Sequence, residues 1–222
     1  MRTYAKLALT AMLATAALAA LVSSASANNL SITNRSIRVT WSSLELTGFA
    51  TSVRCRVTLE GTFHNNTIAK VSGSLIGYIT AATVAHPCTG GSAWAYNGTE
   101  RNEALGNAVF PNRFPWHISY EGFNGALPSP SAIRILLSLA RFTVRATFLG
   151  VPVLCTYLTG GANGNATGTA NLGVGGRVES LRASGRIRSE TGGCPEGNFT
   201  SQTGDGIVTL LGTTNSVSVT LI

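Results

Sequence analysis

The stretch Ile133-Arg-Ile-Leu-Leu-Ser-Leu-Ala-Arg-Phe-Thr143 aligns without a gap on Ile37-Arg-Val-Thr-Trp-Ser-Ser-Leu-Glu-Leu-Thr47, and the two share an irregularity as well as a pattern. Ile37/Ile133, Arg38/Arg134, Ser42/Ser138 and Thr47/Thr143 are identical. In the first copy Ile37, Val39 and Trp41 alternate with polar residues, and the apolar positions then slip to Leu44 and Leu46. In the second, Ile133, Ile135 and Leu137 slip to Ala140, Phe142 and Val144. A period of two that slips by one residue predicts a strand with a bulge, present twice. Val53-Arg-Cys55 recurs as Val153-Leu-Cys155, and each first cysteine has a later one, Cys88 and Cys194. Ser216 to Ile222 reads as a third start of the same strand. These features predict an internal duplication, with repeats at about 29–125 and 126–222.

The first residues read differently. Arg2 and Lys6 precede an uncharged run from Leu7 to Val22, and Ala25-Ser26-Ala27 follows as a small-residue site. This predicts a secretory signal peptide over 1–27, cleaved between Ala27 and Asn28, of bacterial character. Residues 28–222 are then expected to form a single exported domain, secreted, with no stable membrane insertion after cleavage, because no second apolar run follows. After the leader, Lys70 is the only lysine and arginine carries the remaining basic charge. Charge is sparse, at 11 % of the chain against roughly 25 % for an ordinary domain. With 44 % hydrophobic residues, such a chain buries a core rather than staying disordered.

Four cysteines without C-x-x-C spacing in an exported chain predict disulfides rather than a zinc site. The repeat pairs them as Cys55–Cys88 and Cys155–Cys194, each closing a loop that stabilises by roughly 4 kcal/mol in the chain-entropy model. Short alternating segments punctuated by Gly, Pro and Asn predict an all-β fold, an antiparallel sandwich or barrel built from the two repeats and closed by pairing the end of the chain with its beginning. Residues 131–142 compete as a helix, with Ser129 as cap, Pro130 at the first position and Arg134, Ser138, Arg141 and Arg145 at helical spacing. The repeat favours strand. His86 to Gly91 reads as a loop and Gly125 to Ser131 as a linker. Thr159 to Asn171 reads as a flexible loop or edge ribbon, and Ile207 to Leu211 with Val217 to Ile222 as a closing hairpin.

No catalytic motif, metal-ligand spacing or cofactor fingerprint stands out, so no enzyme activity, metal or cofactor is expected. His117, Ser119 and Glu121 share a strand face, but alternate strand residues are ~7 Å apart, too far for a triad. Glu60 and His64 are discounted likewise. A metal held by His64, His86 and His117 requires the fold to gather them, and Asp205 in Thr203-Gly-Asp-Gly206 reads as turn chemistry. Arg182, Arg186 and Arg188, joined by Arg141 and Arg145, form a possible anion-binding face. Glycan sequons at Asn34, Asn65, Asn97, Asn165 and Asn198 read as products of an Asn/Thr-rich composition. The reading is an exported, non-catalytic binding or structural protein of the cell surface or extracellular space, its partner an anionic envelope polymer or a small apolar ligand. Two alternatives have their own signatures. A carrier of a small apolar ligand requires a preformed cavity. An extracellular hydrolase acting on a polymer requires two acids, or a histidine and an acid, in one cleft. An outer-membrane barrel is disfavoured because aromatics are too few for its girdles.

Overall fold

The computed structural model describes residues 29–47, 52–102, 107–160, 164–202 and 204–222, so the expected leader and its cleavage point lie outside the described residues. The strands run β1 (Asn29–Ile32), β2 (Ser36–Thr47), β3 (Val53–Phe63), β4 (Thr67–Ala69), β5 (Leu75–Thr89) and β6 (Ser92–Ala95). A short pair, β7 (Arg101–Asn102) and β8 (Ala108–Val109), precedes β9 (Trp116–Ala126), β10 (Ser129–Ser138), β11 (Arg141–Phe148) and β12 (Val151–Leu158). Then come β13 (Ala166–Leu172), β14 (Val178–Ser189), β15 (Gly197–Ser201), β16 (Ile207–Leu210) and β17 (Val219–Leu221).

Eight of these close on themselves. β2, β3, β5, β9, β10, β13, β14 and β15 pair in that order, all antiparallel, and β15 returns to β2. Each wall strand thus neighbours the next wall strand in sequence, which makes an up-and-down barrel. The alternation dictates it. On β3, Val53 and Cys55 are buried while Arg54 and Arg56 are exposed. On β9, Trp116, Ile118 and Tyr120 point inward. On β14, Leu181, Ala183 and Ile187 are buried opposite exposed Arg182, Arg186 and Arg188.

The remaining strands close the two ends. β1, β4 and β17 form a three-stranded sheet whose Leu30, Ile32, Ile68 and Val219 pack over Ile37, Phe63 and Ile76 of the wall. Leu30 opposite Leu221 pairs the end of the described chain with its beginning, as the sequence predicts. At the other end, β12 leaves β14 through Tyr157–Ser189 and Leu158–Arg188, and β11 and β6 extend that sheet. The seam between β6 and β5 is bridged by a side chain. The Glu100 carboxylate accepts from the Val84 N–H at 3.2 Å and the Ala95 N–H at 2.7 Å, and Asn97 Nδ2 donates to it at 3.2 Å.

Both disulfides form between the expected partners, Cys55–Cys88 between β3 and β5, and Cys155–Cys194 tying the segment after β14 to β12. Residues 131–138 and 141–142 are strand, and no helix forms between them. The slip takes two forms. In the first copy it is a register shift between Trp41 and Leu44. In the second the strand breaks at Leu139, which sits at φ 64°, and splits into β10 and β11.

Four expectations are corrected. His86 to Thr89 belongs to β5, held by the Cys55–Cys88 bond and by Thr89 opposite Arg54, and Pro87 falls where the ladder shifts register and asks no N–H of it. Residues 125–131 form the tip of the β9–β10 hairpin rather than a linker, with Ser129 opposite Ala126. The small, polar-looking residues from 166 on build β13, the wall strand between β10 and β14. They are small because their neighbours fill the space: a Cβ at Gly168 would lie 2.9 Å from Ile135 Cγ1. The terminal hairpin is bridged only at Thr209–Ser216, after which β16 joins β2 and β17 joins β1.

Candidate functional site: an apolar cavity inside the barrel

Where β10 turns away into β11, the wall is lined by Ala93, Ala95, Ala140, Ala166, Gly168 and Ala183. These side chains are too short to meet across the interior, and a cavity of about 140 Å³ remains. Trp41, Trp116 and Phe142 stand around it with aliphatic neighbours from β2, β3 and β5, and Thr159 and Thr167 are the hydroxyl-bearing residues of the lining. Thr159 Oγ1 already accepts from the Ala140 N–H. A second apolar cavity, about 70 Å³, lies beneath the β1–β4–β17 sheet. Ile37, Val39, Ile135 and Leu181 line both and separate them.

The two tryptophans of the larger cavity differ. Trp41 Nε1 donates to the Leu181 carbonyl at 2.8 Å. Gly206 passes so close over this pair that a Cβ there would lie 2.6 Å from the indole nitrogen. Trp116, 4 % exposed, has an indole N–H with no hydrogen-bond partner. Tyr120, two inward positions along β9, lines the smaller cavity, and its hydroxyl is likewise without a partner. Burial pushes the Tyr120 phenol upward, with Arg134 opposing.

The groups singled out from the sequence do not converge on a reaction centre. His117 lies against Tyr78, with ring centroids 5.3 Å apart, and His64 lies on the other side of Tyr78 at 4.8 Å. Glu121 turns toward Arg134 at 4.0 Å, and Ser119 pairs with Leu136 of β10. Glu60 is held by Arg38 at 2.7 Å. His86 lies against Trp94, so the three histidines are not gathered, and among the described residues no group of His, Cys, Asp or Glu is arranged to hold a metal. Asp205 clamps the β2 bulge. It accepts from the Ser42 and Ser43 N–H groups at 2.9 and 3.0 Å and from the Ser42 hydroxyl. Burial raises its pKa, but the Ser42 and Ser43 hydrogen bonds outweigh burial and hold the carboxyl below its ordinary range.

Arg182, Arg186 and Arg188 do share the outer face of β14, and register places Arg141 and Arg188 on either side of Leu158. Arg145 is exposed on β11. The face is only partly cationic. Arg141 is paired with Glu190 at 2.6 Å, and Arg186 faces Glu196 at 3.5 Å in an open groove that Arg188, Asn165 and Asn198 also line. Phe199 and Thr167 line both this groove and the interior cavity, so they are the partition between them.

Sequence reading missed Glu100, whose role depends on a seam that only the fold creates. Burial pushes its carboxyl above the ordinary glutamate range, against the Val84 and Ala95 N–H groups. Asn97, read as one of five compositional sequons, positions it by accepting from the Glu100 N–H at 2.8 Å. Comparison of the chain with protein-family models, with curated proteins and with solved structures gives no match.

Proposed function

We propose that this protein is an exported, non-catalytic β-barrel that binds and carries one small apolar molecule in its interior. The observation that carries the reading is the 140 Å³ cavity, walled almost wholly by apolar side chains inside a closed eight-stranded ring. A barrel of eight strands either fills its interior with side chains or holds one small ligand, and the alanines facing this one leave it unfilled. An apolar cavity of about 150 Å³ stays dry and takes up benzene or xenon, so the space suits a six-carbon ring or a short branched hydrocarbon. Phe199, partly buried, stands at the partition between this cavity and the outer groove.

The disulfides mark a chain that matures in an oxidising compartment, and the leader-like start, 1–27, supports secretion from a bacterial cell. The apolar interior and the Arg–Glu pairs on the outer faces of β2 and β3 are the reverse of a barrel that presents an apolar band to lipid. Among the described residues no helix is long and apolar enough to cross a membrane. Duplication is part of the same proposal. It rests on the sequence alignment alone, which sets Leu44 on Ala140, whereas Leu44 lies opposite Cys55 and it is Val144 that lies opposite Cys155.

The test is thermal unfolding of the oxidised protein with benzene, cyclohexane or xenon. A probe at tenfold its Kd stabilises by about 1.4 kcal/mol, which raises Tm by about 3–6 °C. No shift with any of the three up to their solubility limits would overturn the carrier reading.

A further inference from the structure

We infer that the ligand enters and leaves the larger cavity through the seam between β5 and β6, and that Asn97 and Glu100 are the latch that holds this seam shut. The inference rests on the carrier reading and adds to it the path into the barrel. β9 begins at Trp116, opposite Ile79, so from Thr80 onward β5 keeps β3 on one edge and leaves the ladder with β9 on the other. β6 pairs with β11 on its far side, and among the described residues no ladder joins it to β5. Ala82 and Val84 on β5 and Ala93 and Ala95 on β6 all line the larger cavity, so a gap between the two strands leads into it. Side chains do there what backbone does elsewhere. Glu100 sets one carboxylate oxygen against the Val84 N–H at 3.2 Å and the other against the Ala95 N–H at 2.7 Å, and Asn97 Nδ2 donates to the Ala82 carbonyl at 3.1 Å. Asn97 Oδ1 accepts from the Glu100 N–H, so one turn carries both halves of the latch. Where β10 gives way to β11, by contrast, backbone closes the wall: the Leu139 N–H donates to the Thr159 carbonyl at 2.9 Å and the Thr159 N–H to the Ala140 carbonyl at 3.0 Å. Parting the seam breaks these bonds to two side chains and leaves the β3–β5 and β6–β11 ladders whole, and elements that open so locally are the ones that admit ligands.

A latch governs how fast a ligand exchanges and not how tightly it is held, since the closed cavity is the same with or without it. The experiment measures benzene binding to the wild-type protein, Glu100→Ala and Asp205→Ala at one pH, with Kd from titration and exchange rates from NMR line shapes. We expect Glu100→Ala to raise association and dissociation alike, by about tenfold, and to leave Kd within about twofold. Asp205→Ala loosens the β2 bulge, which is no part of the seam, and should leave both rates within about twofold. In the wild-type protein, where no variant needs to fold, the Val84 and Ala95 amide hydrogens should exchange with solvent together and faster than the bonded amides of the β3–β5 ladder. Unchanged benzene rates in Glu100→Ala, or equal acceleration in Asp205→Ala, overturn the latch and leave the carrier reading standing. If Glu100→Ala does not fold, Val84 and Ala95 amides as slow as those of the ladder overturn it instead. If none of benzene, cyclohexane and xenon binds the wild-type protein, the carrier reading itself is overturned.

Discussion

Ala183 is the position at which the cavity can be filled from the wall. It sits on β14 opposite Gly168 of β13, is buried, and faces the interior space. Leucine at this position adds three carbons. At about 0.8 kcal/mol per buried CH₂ they contribute up to about 2.4 kcal/mol. At roughly 24 cal/mol per Å³, a cavity of 140 Å³ sets a ceiling of about 3.4 kcal/mol on what filling can recover. Allowing for lost rotamer freedom, Ala183→Leu should stabilise the protein by about 1–2 kcal/mol, or about 2–8 °C in Tm. Most core enlargements do the opposite, so the sign is diagnostic: extra methylenes in a filled core cost about 1–3 kcal/mol. Ala132, buried on β10 but outside both cavities, supplies that control as Ala132→Leu.

The assay is urea unfolding without reductant, with a raised midpoint at unchanged slope as the expected result. The same variant should lose the benzene-induced rise in Tm, since its own side chain occupies the site. Destabilisation of Ala183→Leu equal to that of Ala132→Leu would mean that the interior is already full. A stabilised variant that still responds to benzene would place the probe elsewhere and remove the cavity as its site.

Three further outcomes follow from the polar and covalent contacts. Glu100 has a folded pKa above its ordinary 4.5, so its contribution is complete below that value and is lost as pH rises through the folded pKa. Between about pH 4 and pH 8 the wild-type protein should therefore lose stability relative to Glu100→Gln in urea titrations, and a relative gain would show that the hydrogen bonds to Val84, Ala95 and Asn97 outweigh burial. Asp205→Ala leaves the Ser42 and Ser43 N–H groups without their acceptor and should cost about 1–3 kcal/mol at neutral pH. Because the Asp205 pKa is lowered, that difference should shrink as pH falls below about 4, and a pH-independent cost would refute the clamp. Replacing Cys155 and Cys194 by serine frees the segment after β14, closes no other loop, and should cost up to about 4 kcal/mol. A loss under about 1 kcal/mol would show that the Tyr157 hydroxyl, bonded to the Pro195 carbonyl at 3.1 Å, holds the segment unaided.

Large alternating side chains made most of the barrel legible. Val53, Cys55 and Val57 on β3, or Trp116, Ile118 and Tyr120 on β9, need a buried face whatever the topology, and the cysteines pair as expected, Cys55 with Cys88 and Cys155 with Cys194. β13 was illegible for a physical reason. Its inward positions are Ala166, Gly168 and Ala170, so the hydrophobic signal that identifies a strand is missing where Ile135 and Leu181 reach across from the neighbouring strands. The same smallness, repeated at Ala93, Ala95, Ala140 and Ala183, creates the cavity. Pattern reading finds what fills a core, and it is blind to a core shaped by what is left out. Hydrogen-bond partners are hidden in the same way. Trp41 and Trp116 look equivalent as inward residues of alternating strands, and they differ only because the fold brings the carbonyl of Leu181, 140 positions away, to one indole and nothing to the other. An unfilled volume leaves no motif in the sequence, so it becomes visible only when the barrel has closed around it.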